Sequence, residues 1–442
     1  MREKFGVGMF VDEDHELAST SLDLFSMPIV DNSLIHGNNL TIYPTVSVKN
    51  NNGPYEFFIP SDGNDYTQLN MTRLQGEIEI VKKADETTLP AAADNVAVIN
   101  MLPSTMFRQI EVELNEHQIA DLSTPTQAWK SYIQTQLSYS EEAKNTHLVT
   151  WCYVKETPGK EETLTIAAAD GSKAFIAKNT MIKTKVRFST ILHIDFFQSQ
   201  RLLIPGMTIK LRFVRNDDAF SILAPTDIWK VKLNDLKLKI QRVTIDPEIS
   251  NSIENKLQST PICYPIIQSK IKTFLLNTGT QSERISNVYR GVLPKTVYIA
   301  LLDSAAFNGT VNKNPFVFKD FGLNYFNLYI NGEPFLNEAW QPDFANGDFI
   351  EIYQHFIDNI GISHSSDSVG ITVEDFKSNC CFFAFDFSPD LSNGIHMYGN
   401  KTGSLDIQLG FKAPLAQNIN CLIYGSFNEA IIIDKNRNVS VI

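Results

Sequence analysis

The feature that most constrains this chain is a two-residue alternation of apolar and polar side chains, repeated in short runs along its length. Ile110, Val112 and Leu114 alternate with Glu111 and Glu113, while Ile209, Leu211 and Phe213 alternate with Lys210 and Arg212. Ile407, Leu409 and Phe411 follow the same rhythm. Successive side chains of a strand point to opposite faces, so such runs, bounded by Gly, Pro, Asn and Asp, predict half-buried antiparallel strands. At 442 residues the chain exceeds the roughly 250 to 300 residues that one hydrophobic core can serve, so two or more core-bearing units are expected. A hydrophobic content of 43% against 20% charged residues supplies the apolar surface and excludes intrinsic disorder.

Turn chemistry punctuates the strands. Asn331-Gly332 follows Phe326, Leu328 and Ile330, and this dipeptide accepts the two positive φ angles of a type I′ hairpin. At Asn234-Asp235 the apolar phase switches from Trp229, Val231 and Leu233 to Leu236, Leu238 and Ile240, which predicts either a hairpin or a bulge. Two helices are expected. Thr124-Pro125-Thr126-Gln127 has a capping-box pattern with Pro at the first helical position, followed by the stripe Trp129, Tyr132, Ile133 and Leu137. Asp246-Pro247 caps a segment carrying Ile249, Ile253 and Leu257 at four-residue steps and ending before Pro261.

That second helix divides two similar halves. The strand ending at Leu114-Asn115 matches the strand ending at Ile330-Asn331, at an interval close to half the chain. Likewise Ile209 to Phe213 matches Ile407 to Phe411, at an interval shortened as loop-length changes would do. Repeated units of many short strands predict an all-β chain of two tandem jelly rolls, each an eight-stranded antiparallel β-sandwich, with short helical insertions. The expected divisions are an N-terminal arm over 1–39, a first jelly roll over 40–245, a linker helix over 246–261 and a second jelly roll over 262–442.

Composition and motifs remove several functions. Lys and Arg total 38 against 50 for Asp and Glu, a net charge of -12, the wrong sign for coating a phosphate backbone. The charged residues among Met1 to Asp14 interrupt any apolar leader, and no apolar run approaches the ~20 residues of a membrane span. A soluble chain synthesised in a reducing cytoplasm is expected. Cys152, Cys263, Cys380, Cys381 and Cys421 form an odd set without zinc or disulfide spacing and read as small buried hydrophobes. Phosphate-binding and dinucleotide glycine loops and the Gly-x-Ser-x-Gly elbow are all absent from the sequence.

The remaining candidates for chemistry read better as structure. The acidic groups Asp12-Glu13-Asp14 and Asp217-Asp218 could hold a divalent ion or serve glycan hydrolysis, but solvated charge is the stronger reading. His355 and His364, nine residues apart, lack a metal-ligand spacing. Lys230, Lys232, Lys237 and Lys239 make a basic stripe that reads as the outer face of an amphipathic ribbon. Phe316, Phe318, Phe321, Tyr325 and Phe326 lack interleaved Arg and read as core or interface rather than a base-stacking platform. No catalytic, cofactor-binding or metal-binding residue is assigned, no cofactor is expected, and the chain is not expected to be an enzyme.

Several strings carry a family resemblance. They are Leu22-Asp23-Leu24-Phe25-Ser26-Met27-Pro28, Gly53-Pro54-Tyr55-Glu56-Phe57, Ser138-Tyr139-Ser140-Glu141-Glu142-Ala143-Lys144 and Leu293-Pro294-Lys295. Ala306-Phe307-Asn308-Gly309-Thr310, Lys313-Asn314-Pro315-Phe316 and Gln341-Pro342-Asp343-Phe344 continue the series. Phe385-Asp386-Phe387-Ser388-Pro389-Asp390-Leu391 and Ile433-Asp434-Lys435-Asn436-Arg437-Asn438-Val439 complete it. In order and spacing they resemble the double jelly-roll major capsid protein of Polinton (Maverick) elements and adintovirus-like viruses. The resemblance implies two rolls side by side, and a homotrimer forming a pseudo-hexagonal capsomer that tiles an icosahedral shell. It further implies neighbouring capsomers, penton and minor capsid proteins as partners and the virion capsid as location. Neither sequence-specific nucleic-acid binding nor a membrane span is implied. Where the family usually has Asn-Gly-Lys, this chain reads Asn115-Glu116-His117, which argues against a type I′ turn there but not against the fold. The alternative reading is a carbohydrate-binding or glycan-processing double jelly-roll protein.

Overall fold

The computed structural model describes residues 33–49, 53–61, 63–119, 125–167, 171–389 and 399–441. Most of the expected arm, the string Leu22 to Pro28 and the acidic triplet Asp12 to Asp14 lie outside the described residues.

The first half contains β1 (Leu34–Ile42), β2 (Tyr55–Ile59), β3 (Tyr66–Lys82), β4 (Ala97–Val98), β5 (Phe107–Leu114), β6 (His117–Gln118), β7 (Val186–Ile191), β8 (Ile209–Arg215), β9 (Ile222–Leu223) and β10 (Trp229–Ile245). Its sheets run β1-β10-β3-β7 and β2-β8-β5-β6, with β4 and β9 as a separate short pair. The second half contains β11 (Ile262–Leu276), β12 (Ser282–Val292), β13 (Thr296–Asp303), β14 (Leu323–Ile330), β15 (Glu333–Pro334), β16 (Phe382–Asp386), β17 (Thr402–Phe411), β18 (Ile419–Ile433) and β19 (Val439–Val441). Its sheets run β11-β18-β13-β16 and β12-β17-β14-β15, and β19 adds to β18. With the β4-β9 pair set aside, both halves place their first, eighth, third and sixth strands in one sheet and their second, seventh, fourth and fifth in the other. Each half is therefore a jelly roll, and the second repeats the first strand for strand.

Alternation does what the sequence requires. Val112, Leu114, Leu211 and Phe213 are fully buried between the sheets, while Glu111 and Arg212 pair on the outer face at 3.0 Å. The lysine stripe of β10 also faces outward, with Lys230 on Glu86 at 2.9 Å and Lys237 on Asp235 at 3.3 Å. The continuous apolar run of β16 is buried on both faces, with the helix Ile350–Asn359 packed against it.

The structure decides one alternative left open by the sequence and differs from expectation in three details. The phase switch at Asn234-Asp235 is a bulge, because β10 continues through it in register with β3 on both sides. The first expected helix runs Gln127–Ser138 with Thr126 at its cap and no side-chain cap bond, so Pro125 precedes the helix instead of opening it; Thr124 lies outside the described residues. Leu34 to Asn39, assigned to the arm by sequence, pair with β10 as the first residues of β1. The turn at Asn115-Glu116 has φ of +46° and +68°, matching Asn331-Gly332 at +54° and +84°, so both rolls use the same left-handed turn.

The linker helix Pro247–Leu257 forms as its sequence requires, with Asp246 accepting from Glu248 N at 2.8 Å and Pro247 in the first turn. Asp246 N donates to Ser33 O at 3.0 Å, and Glu254 holds Arg437 at 2.6 Å. Residues from near both ends of the described chain thus meet on this helix.

Candidate functional site

Specific side chains converge on the seam between the two rolls. Its centre is aromatic. The helix Gln127–Ser138 presents Trp129 and Tyr132 toward the second roll because three-residue spacing puts them on one stripe. Trp129 stacks on Phe307 at 4.5 Å and donates its indole N–H to Pro315 O at 3.1 Å. Tyr132 stacks on Phe316 at 4.4 Å, and Phe220 meets both Trp129 and Phe316 edge-on. Buried apolar packing therefore runs unbroken from one roll to the other.

Polar contacts surround this centre. Lys144 is 4% exposed and donates to Gln136 O at 2.8 Å, Gln136 Oε1 at 3.0 Å and Val369 O at 2.6 Å, the last across the seam. Three acceptors match the three N–H groups of an ammonium, which is how a cation can be buried without a counter-ion. Burial nonetheless pushes its pKa down to about 8. Glu141 N donates to Ser368 O at 2.9 Å, and Asn379 donates to Glu161 at 2.9 Å. Asp195 accepts from Lys130 at 2.8 Å and from Ser269 N at 2.9 Å, tying the first roll to β11. Arg437, held at φ +64°, donates to Pro205 O at 3.1 Å, and its own carbonyl accepts from Asn115 at 3.1 Å.

Two concavities lie along the seam and the linker helix. One of about 60 Å³ lies in the seam beside Arg108, Lys130 and Lys270, well below the ~300 Å³ at which pockets for drug-sized ligands begin. A groove of about 370 Å³ separates the linker helix from β11, lined by Leu202, Ile204, Ile253, Leu257, Ile262 and Tyr264.

The candidates raised by sequence are scattered across the molecule. Asp218 is held by Arg215 at 3.0 Å and accepts from Val231 N at 3.1 Å, so this carboxylate is engaged in structure. His355 packs edge-on against Trp340 at 4.8 Å and contacts Asn359. Phe316, Phe318 and Phe326 are fully buried, the first two flanking Tyr132 in the seam. All five cysteines are free and four are buried; burial pushes Cys152 and Cys421 up to about 12, keeping them thiols. Among the described residues no group of three or more His, Cys, Asp or Glu is placed to hold a metal ion, and no helix is long and apolar enough to cross a membrane.

The seam itself was not assigned from sequence, although several of its residues sit in strings singled out there for resemblance. Glu141 and Lys144, Phe307, Pro315 and Phe316, and Arg437 each belong to one. A charged residue in a short polar helix reads as surface, and nothing local reports that another roll will cover it.

No protein-family model matches the chain. It is similar to the uncharacterized protein F54H12.2 of Caenorhabditis elegans, with 23% identity over 398 residues, 87% of this chain and 92% of that one. Among solved structures it resembles a chain of the Sputnik virophage, with 11% identity, a TM-score of 0.62 and coverage of 97% of this chain and 92% of that one. A chain of the PBCV-1 virus capsid matches at 11% identity and TM-score 0.58, covering 94% and 98%. The mavirus major capsid protein matches at 10% identity and TM-score 0.51, covering 98% and 93%. The fold is the double jelly roll of viral major capsid proteins. Both rolls and the seam between them fall within the matched length.

Proposed function

We propose that this chain is a structural major capsid subunit, not an enzyme, of the kind found in Polinton and adintovirus-like elements. Three copies close into a pseudo-hexagonal capsomer, and capsomers tile an icosahedral shell together with penton and minor capsid proteins. The observation that carries the reading is the chain-long match of two rolls, locked by one continuous seam, to proteins that build virus shells. A rigid pair of sandwiches suits a building block: a closed ring of three pairs buries its intersubunit faces, and weaker polar contacts between rings can anneal. The acidic balance suits a shell that leaves genome contact to other proteins. Of the acidic residues that the glycan-processing alternative draws on, Asp218 is committed to Arg215. The test is light scattering and negative-stain imaging of the expressed chain. Trimers or shells are expected; a monomer at high concentration, with no particles, would refute the reading.

A further inference from the structure

A buried cluster in the first roll has the composition of a reaction centre. Asn100, fully buried just after β4, is clamped to the backbone of Val154: its Nδ2 donates to Val154 O at 2.6 Å and its Oδ1 accepts from Val154 N at 3.0 Å. Nδ2 also reaches Glu156 Oε1 at 3.4 Å. The same carboxylate oxygen is in contact with Nζ of Lys178, from the helix Lys173–Met181. The side chains of Lys178 and Glu156 are only 2% and 7% exposed.

The Lys144 ammonium meets three acceptors, whereas among the described residues Lys178 meets one carboxylate oxygen, leaving a poorly solvated buried ion pair. Passing a proton from Lys178 to Glu156 replaces two buried charges by neutral groups and creates a free amine, which is a nucleophile. The carboxamide of Asn100 meets the same carboxylate oxygen as Lys178, which offers its carbon as the electrophile. Val154 N–H already points at Oδ1, where negative charge would build on attack. Glu156 touches both the attacking and the leaving nitrogen, so it can take a proton from one and deliver it to the other.

We propose that Lys178 and Asn100 join in an intramolecular isopeptide bond, with Glu156 as the proton shuttle. The Nζ–Cγ bond forms and the Cγ–Nδ2 bond breaks. Nitrogen Nδ2 leaves as ammonium, carrying the remaining lysine protons, and Glu156 returns to carboxylate, so no oxidant or reductant is needed. A cavity of about 20 Å³ beside Glu156 is large enough for one ammonia-sized molecule, and burial keeps out the bulk water that would compete with the amine. The product would staple the helix Lys173–Met181 to the segment following β4.

The test is the intact mass of the expressed full chain with a tryptic peptide map. The expected result is a mass one ammonia below that of the sequence, and a branched peptide joining the segments that carry Asn100 and Lys178. Lys178→Arg and Glu156→Gln chains are expected at full mass. Wild-type protein at full mass, with the two segments recovered as separate linear peptides, would overturn the proposal. So would an equal mass loss in Lys178→Arg, which would place the missing ammonia in a succinimide elsewhere.

Discussion

Lys144 and His193 are two ionisable side chains that the fold has taken out of water, and they respond to change in different ways. Lys144→Met removes the donor to Gln136 O and Val369 O while leaving both in a buried seam. The expected cost is about 1–3 kcal/mol, read as a lower midpoint in urea unfolding with an unchanged slope. His193 is buried, shares a 3.0 Å hydrogen bond with Thr135 and packs edge-on against Trp151 at 5.8 Å. Burial, with Lys130 nearby, pushes its pKa from 6.5 down to about 3. The unfolded chain therefore takes up a proton near 6.5 that the folded chain refuses until about 3, so stability from this group is present above 6.5 and is lost as pH falls through that window. Thermal melts from pH 7 to pH 4 should fall more steeply for the wild type than for His193→Gln; parallel curves would remove this residue from the acid response.

The two hairpin turns show at the level of elements what a sequence exposes and what it hides. Asn331-Gly332 is legible because the dipeptide itself tolerates positive φ twice. Asn115-Glu116 is not, because its left-handed geometry is held from outside the turn: Asn115 Oδ1 accepts from Thr208 N at 2.7 Å, as Asn331 Oδ1 does from Ser404 N at 2.9 Å. A clamp to a residue far along the chain leaves no local trace. Glu116 consequently sits at +68° without glycine's freedom. Glu116→Gly is expected to stabilise the protein by about 0.5–1 kcal/mol, the relief of backbone strain exceeding the entropy added to the unfolded chain, measurable as a raised melting temperature. Similar reasoning explains the other element-scale differences. The bulge at Asn234-Asp235 is favoured over a hairpin by pairing with a seventeen-residue β3 on both sides of it. The helix near Thr126 starts at Gln127, past Pro125, with no side-chain cap bond from Thr126.

For the whole molecule, the repeat of two rolls was readable because period-two alternation and turn residues are local signals, and they recur at half the chain. The seam was not readable, because burial of Lys144 or of Trp129 depends on a surface supplied more than a hundred residues later. Trp129→Ala deletes both the stack on Phe307 and the hydrogen bond to Pro315, at an expected cost of about 3–5 kcal/mol. Because that energy couples the rolls rather than filling one of them, calorimetry should resolve two transitions in the variant where the wild type gives one. A single transition shifted downward would mean that the rolls remain one cooperative unit without it.

The helix that receives Ser33 at one end and Arg437 along its side has a mechanical consequence. Within this helix only Leu257 is fully covered. A pull entering through the first of these contacts and leaving through the second would travel along this lightly anchored rod and bypass the sandwiches. Under tension it should act as the fuse, yielding first and leaving both rolls whole.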